Sequence, residues 1–148
     1  MQLTFYEIFK EVSEQDTEEK MIETLYKHSS AEMKFVLGYT FDPNIKWNLP
    51  DGAPPYKECP EGIENDGRLM NELRRLYLFV EGLTEEQRNM TTVRREMLFI
   101  EILESLSPNE AKFLLAMKDK KLPFDNITKD VISKAFPNLA SNWSPFNS

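Results

Sequence analysis

One histidine and one cysteine in 148 residues exclude much chemistry at once. A lone Cys59 forms no internal disulfide and no thiolate zinc site, so the chain depends on no staple and suits a reducing cytosol. In its proline-flanked loop it reads as an inert thiol, because no lysine-rich or histidine pocket stands beside it in the sequence to lower its pKa. His28 follows Lys27 where a helix is expected to end, and a cation favourable to the helix dipole is its simplest role. Long apolar runs are missing too. No stretch approaches the roughly 18 residues of a membrane span, and the N-terminus turns acidic before a signal-peptide core forms. A cytoplasmic location with no membrane partner is therefore expected.

Carboxylates are plentiful, and Glu18 with Glu19, Glu85 with Glu86, and Glu101 with Glu104 are the pairs that invite a metal or acid-base role. None is set in an interleaved Asp/Asn/Gly loop or joined by histidine ligands, so solvated helix faces explain them. With no base, nucleophile or metal in a recognisable arrangement, the chain is expected to be no enzyme. It needs no cofactor, metal or small-molecule substrate, and catalytic residues are none.

Positive charge is also in short supply, at 18 basic against 25 acidic residues, net −7. The deficit is uneven. Residues 1–66 hold 6 basic and 14 acidic residues (net −8), while residues 67–148 hold 12 and 11 (net +1) and all six arginines. Any affinity for a polyanion must lie in the second half.

What the chain does have is a core. Apolar residues make up 41% and phenylalanine alone supplies ten, enough for one packed domain over 1–148. Helical signals dominate. Thr4 with Glu7 has capping-box spacing before Phe5, Ile8, Phe9 and Val12, and Asp16 with Glu19 repeats it before Met21, Ile22, Leu25 and Tyr26. Ser29 with Glu32 opens a third helix through Met33, Val36 and Leu37 that frays near Gly38 to Thr40. From about 41 to 67 the period vanishes and five of the nine prolines cluster, predicting a long loop that Trp47, Tyr56 and Ile63 tie to the helices.

Period returns in GRLMNELRRLYLFVEG, where Leu69, Leu73, Leu76, Tyr77 and Val80 share a helical face. A polar turn at Thr84 to Met90 follows, then a helix with Val93, Met97, Ile100 and Leu103 as its apolar stripe. Ser107 as cap, Pro108 at the first helical position and Glu110 three residues after the cap predict the next start, and Pro123 its end. A last helix is expected from about Thr128 to Phe136, closed by Pro137, with an irregular tail over 138–148. No segment alternates like a strand and no repeat is present, so the fold class is all-α, an irregular bundle of about seven helices.

Two stretches go beyond generic helices: LYKHSSAEMKFVLGYTFDPNIKW, a lysine-bearing helix ending in an aromatic-Asp-Pro turn, and ILESLSPNEAKFLLAMKDKKLPFDNITKDVISKAFPNL. In the second, a leucine-rich helix ends in a charged strip, a turn and a small helix finishing in Phe-Pro-x-Leu. Both resemble the N-terminal helical DNA-binding domain of ATP-dependent DNA ligases, closest to the phage type, over roughly residues 5 to 140. The resemblance implies a stand-alone domain that grips duplex DNA across the minor groove through backbone and sugar contacts without reading sequence, in a phage accessory protein of DNA metabolism. The adenylation motif Lys-x-Asp-Gly follows none of the twelve lysines, so no ligase activity is implied. Two departures bear on DNA. Pro123 and Phe124 stand near the place of a family glycine, where proline removes a donor, and Glu85 and Glu86 enter a turn that carries glycine and asparagine in ligases.

The expected DNA contacts are Arg74, Arg75, Arg94, Arg95, Lys118, Lys120, Lys121, Lys129 and Lys134. Against that stands surface pairing with Glu72, Glu96, Asp119, Asp125 and Asp130. The alternative function is an acidic protein-interaction module that docks on a host or phage replication or transcription protein. Trp143 and Phe146 are its weak candidate docking residues. The spacing of Gln2, Phe5, Ile8 and Phe9 loosely matches sliding-clamp ligands, although a buried first helix explains the same residues.

Overall fold

The computed structural model describes residues 3–57, 67–82 and 84–141. Among them the chain is all-α: eight α-helices and one 3-10 helix, with a single isolated antiparallel bridge between Trp47 and Val80 as the only β feature. In chain order these are α1 (Phe5–Ser13), α2 (Glu18–Lys27), α3 (Ala31–Phe41), the 3-10 helix (Leu69–Phe79), α4 (Glu85–Asn89), α5 (Thr92–Ser105), α6 (Pro108–Lys118), α7 (Lys129–Ala135) and α8 (Pro137–Ser141).

The α1 start matches its sequence signature. Thr4 accepts from the Glu7 N–H and the Glu7 carboxylate accepts from the Thr4 N–H at 2.9 Å, a complete capping box. Two other starts fall one residue later than expected. Thr17, not Asp16, caps α2, and Asp16 instead pairs with Lys20 at 3.2 Å; Ser30, not Ser29, caps α3 through the Met33 N–H at 3.0 Å. Each neighbour is itself a good cap, and the winner is the residue whose extended backbone aims its oxygen at the third amide beyond it. Helix α7 ends at Ala135, before Pro137 as expected, but the tail expected to be irregular over 138–148 begins with a helix: Pro137 opens α8 at its first position, where a missing N–H costs nothing.

The core gathers around α6. Phe113 meets Phe5 and Phe9 of α1 at ring centroid distances of 6.2 and 5.4 Å, and Leu37, Leu76, Ile102 and Ile132 are fully buried around this cluster. Side chains of this size contribute roughly 1.5–3 kcal/mol each on burial. Helices α1 and α3 pack on α6, α2 packs on α1 and α7, and α8 packs on α7.

Glu110 joins distant parts of this core. Instead of boxing its own helix, it accepts from the Tyr6 N–H at 3.2 Å and the Leu69 N–H at 3.0 Å, so one buried carboxylate caps both α1 and the 3-10 helix. Burial pushes its carboxyl above the ordinary range, against the pull of those two donors and of Arg68. Ser107 makes no side-chain cap, although its N–H donates to the Gly67 carbonyl at 3.1 Å. Gly67 has no room for a side chain: a Cβ there would lie 1.9 Å from the Ser105 carbonyl oxygen.

The segment from Leu69 winds as a 3-10 helix rather than the expected α-helix. Three residues per turn put Leu73, Leu76 and Phe79 in line, so Phe79 is buried while Tyr77 turns outward to donate to Glu86 at 2.6 Å. The tighter winding also lengthens eleven residues to about 22 Å, against about 16 Å as α-helix. That length links the Glu110 clamp at one end to the bridge at the other, where the Asn48 N–H donates to Phe79 at 2.7 Å and the Glu81 N–H to Lys46 at 2.8 Å.

The expected polar turn at Thr84 to Met90 is the short helix α4, with Thr84 and Gln87 as a second capping box. Of the stripe expected on α5, Leu103 is buried and Ile100 half-buried, while Val93 and Met97 face outward. Apolar residues fall on more than one of its faces, and the stripe Phe99, Ile102, Leu103 with Leu106 beyond it enters the core, leaving Val93 and Met97 66% and 60% exposed. Of the expected loop, Trp47 donates to the Tyr39 carbonyl at 3.0 Å and Tyr56 packs partly buried against the core, as anticipated; Ile63 lies outside the described residues.

Candidate nucleic-acid interface

The nine basic residues expected to face phosphate fall into three groups. Three turn inward. Arg95 is buried and its Nη2 donates to the carbonyls of Gln87 at 3.2 Å and Met90 at 3.0 Å, closing the end of α4; its Nε finds no partner among the described residues. Lys118 is buried, donates to the Pro50 carbonyl at 2.8 Å and pairs with Asp119 at 2.7 Å. Lys120 donates to three carbonyls, Tyr39 at 3.2 Å, Asp42 at 2.7 Å and Ile45 at 2.9 Å. An ammonium has only three protons, so Lys120 has none left for phosphate.

Lys120 holds the aromatic-Asp-Pro turn after α3 in place, and its own backbone is unusual. It has φ of 65°, the left-handed position that closes a helix and commonly falls to glycine. The flanking bonds are those of a Schellman close: the Lys120 N–H donates to Met117 at 2.9 Å and the Lys121 N–H to Ala116 at 3.0 Å. Burial lowers the Lys120 ammonium to about 8, with Asp42 pulling the other way.

Two more are exposed but engaged. Arg75 donates through Nε to Glu72 at 2.8 Å, and Lys134 pairs with Glu18 at 2.9 Å and Asp130 at 3.2 Å, which raises its pKa. The last four, Arg74, Arg94, Lys121 and Lys129, are exposed, and none is paired with a carboxylate among the described residues.

Only part of this last group comes together. Lys121 and Lys129 line a groove of about 470 Å³ between the turn after α3 and the connection from α6 to α7. Lys120 forms its inner edge, Thr40, Phe41 and Pro43 one wall, and Phe124 and Thr128 the other; Asp125 is the one carboxylate in the lining. Phe124 is fixed there by its ring contact with Tyr6 at 5.2 Å. The Thr40 and Pro43 wall was not expected from the sequence beyond the Asp-Pro turn, because it faces the lysines only through the Lys120 clamp.

The acidic pairs take ordinary roles where bonds are seen. Glu86 holds Tyr77, Glu104 accepts from the Lys57 N–H at 2.8 Å, and Glu18 pairs with Lys134. His28 ends α2 and bonds Glu11 at 3.1 Å. No cluster of three metal-ligating side chains occurs among the described residues, and no helix there is long and apolar enough to cross a membrane. Gln2, Cys59, Trp143 and Phe146 lie outside the described residues.

The chain belongs to a family of unknown function, DUF6433, whose family model matches residues 8–123. That span runs from α1 through α6 and ends before Phe124 and α7. No curated protein and no solved structure matches the chain.

Proposed function

We propose that this member of DUF6433 is a non-enzymatic, phage-encoded accessory of DNA metabolism, built like the DNA-binding domain of phage-type ligases. It holds the duplex backbone without reading sequence. The observation that carries this reading is local: an acidic chain sets Lys120, Lys121 and Lys129 around one groove whose lining holds one carboxylate, Asp125, with Asp42 beside Lys120. Lys121 and Lys129 leave their ammonium groups to solvent, and Lys120 contributes field rather than contact because its protons are engaged. Phosphate oxygens are a matching ligand for two such point charges, and contacts to them fix a duplex without carrying sequence information. Arg74 and Arg94 are further exposed cations but line no part of this groove.

Fluorescence anisotropy with a random-sequence duplex tests the reading. Binding is expected at ~50 mM salt and should fall steeply as salt rises. Lys121→Glu with Lys129→Glu should abolish it while leaving the helical circular dichroism intact. No binding of the unmodified protein at that salt would sink the proposal, as would a double variant that binds as well as the parent.

A further inference from the structure

Helix α5 turns a second apolar stripe away from the core. Val93, Met97 and Ile100 follow at helical spacing, with Val93 66% and Met97 60% exposed and Ile100 half-buried. Scattered exposed apolar residues need no explanation, but this stripe does not stop at the surface. Ile100 is also part of the lining of a cavity of about 330 Å³ between α5 and the loop 49–55, together with Leu49, Pro50, Pro54 and Phe99. Ile100 is the residue that joins the stripe to the cavity.

Its border is acidic. Asp51 and Glu96 line the cavity, Glu101 and Glu104 stand exposed on the next turns of α5, and Glu85 and Glu86 stand exposed on α4 just before it. Arg88 and Arg94 are the exposed cations on these two helices. Lys118 reaches the cavity wall with its charge already matched by Asp119. Six carboxylates against three exposed cations, counting Lys57 whose N–H bonds Glu104, set a negative field around an apolar track, on the opposite charge logic from the lysine groove.

We propose that the outer face of α5 and the adjoining cavity are a docking surface for a basic amphipathic helix of a protein partner. The apolar side chains of that helix, spaced three or four residues apart, lie along Val93, Met97 and Ile100, and one of them enters the cavity beside Phe99. Its lysines or arginines meet Glu96, Glu101 and Asp51. The surface is separate from the lysine groove, so the inference stands or falls independently of DNA binding.

The test uses the full chain with methyl-labelled methionine and a leucine/lysine peptide of about 14 residues, long enough to form an amphipathic helix on contact. The expected result is a saturable shift of the Met97 methyl resonance, with affinity roughly tenfold weaker in Met97→Glu, as for loss of a central contact. A peptide of the same composition in scrambled order, and one with glutamate for lysine, should not reproduce it. Met97→Glu should melt with the parent, since Met97 makes little of the core, and Lys121→Glu with Lys129→Glu should leave the shift unchanged. No Met97 shift, equal binding of the scrambled or acidic peptide, or indifference to Met97→Glu would overturn the proposal. So would sedimentation showing self-association that Met97→Glu abolishes, which would assign the face to a second copy of this chain.

Discussion

Lys118 and Lys120, in the strip that ends α6, turn their ammonium groups into the fold, whereas Lys121 and Lys129 beside them keep theirs in solvent at the groove. The inner pair meets backbone carbonyls of the segment after α3, which cannot bond its own donors past the end of that helix. The outer pair meets no such group. The difference lies in which carbonyls come within reach, not in residue type, and it separates cations that hold a turn from cations free for a ligand.

Five substitutions sharpen that contrast, the largest effect first. Lys118→Ala leaves the partly exposed Asp119 without its partner and the Pro50 carbonyl without its donor, and should cost about 3 kcal/mol. Urea denaturation should show a lower midpoint at unchanged slope. Lys120→Ala should cost about 2 kcal/mol by freeing three carbonyls. Lys120→Gly should recover about 1 kcal/mol of that, because glycine accepts the positive φ without strain. An equal loss in the alanine and glycine variants would remove backbone strain from the account.

Next comes a pH effect. The Lys120 ammonium titrates at about 8 in the folded chain and at its ordinary 10.5 when unfolded, so between these values the unfolded chain holds more protons. Stability contributed by this group therefore rises with pH through that window. Melts of the parent and of Lys120→Met across that window should differ in slope in this direction. Smallest of all, Lys134→Ala breaks only two exposed ion pairs and should leave the urea midpoint close to that of the parent.

The same distinction between local and distant partners marks what the sequence made legible. Element type follows from periodicity inside each segment, so the all-α class and the Thr4–Glu7 box could be read directly. Ser29 and Ser30, or Asp16 and Thr17, are neighbours of equal capping chemistry, and only backbone direction chooses between them. Glu110 was expected to serve its own helix. Its partners, Tyr6 and Leu69, lie 104 and 41 residues away, beyond the reach of local spacing. Helix α5 carries two overlapping stripes, and the core selected the one with Phe99 and Ile102. Of the candidate site, Lys121 and Lys129 were nameable as basic residues. That Arg95, Lys118 and Lys120 are committed to carbonyls was not, since no sequence pattern records which turn ends against which helix.

The salt dependence of duplex affinity, measured for the parent and for Lys121→Ala with Lys129→Ala, tests the central claim most directly. Each phosphate contact contributes about 0.9 to the slope of log affinity against log salt, so two lost contacts should lower the slope by about 1.8. That drop is expected with an unchanged melting curve. A slope identical in the two proteins would mean that the groove does not hold the phosphates.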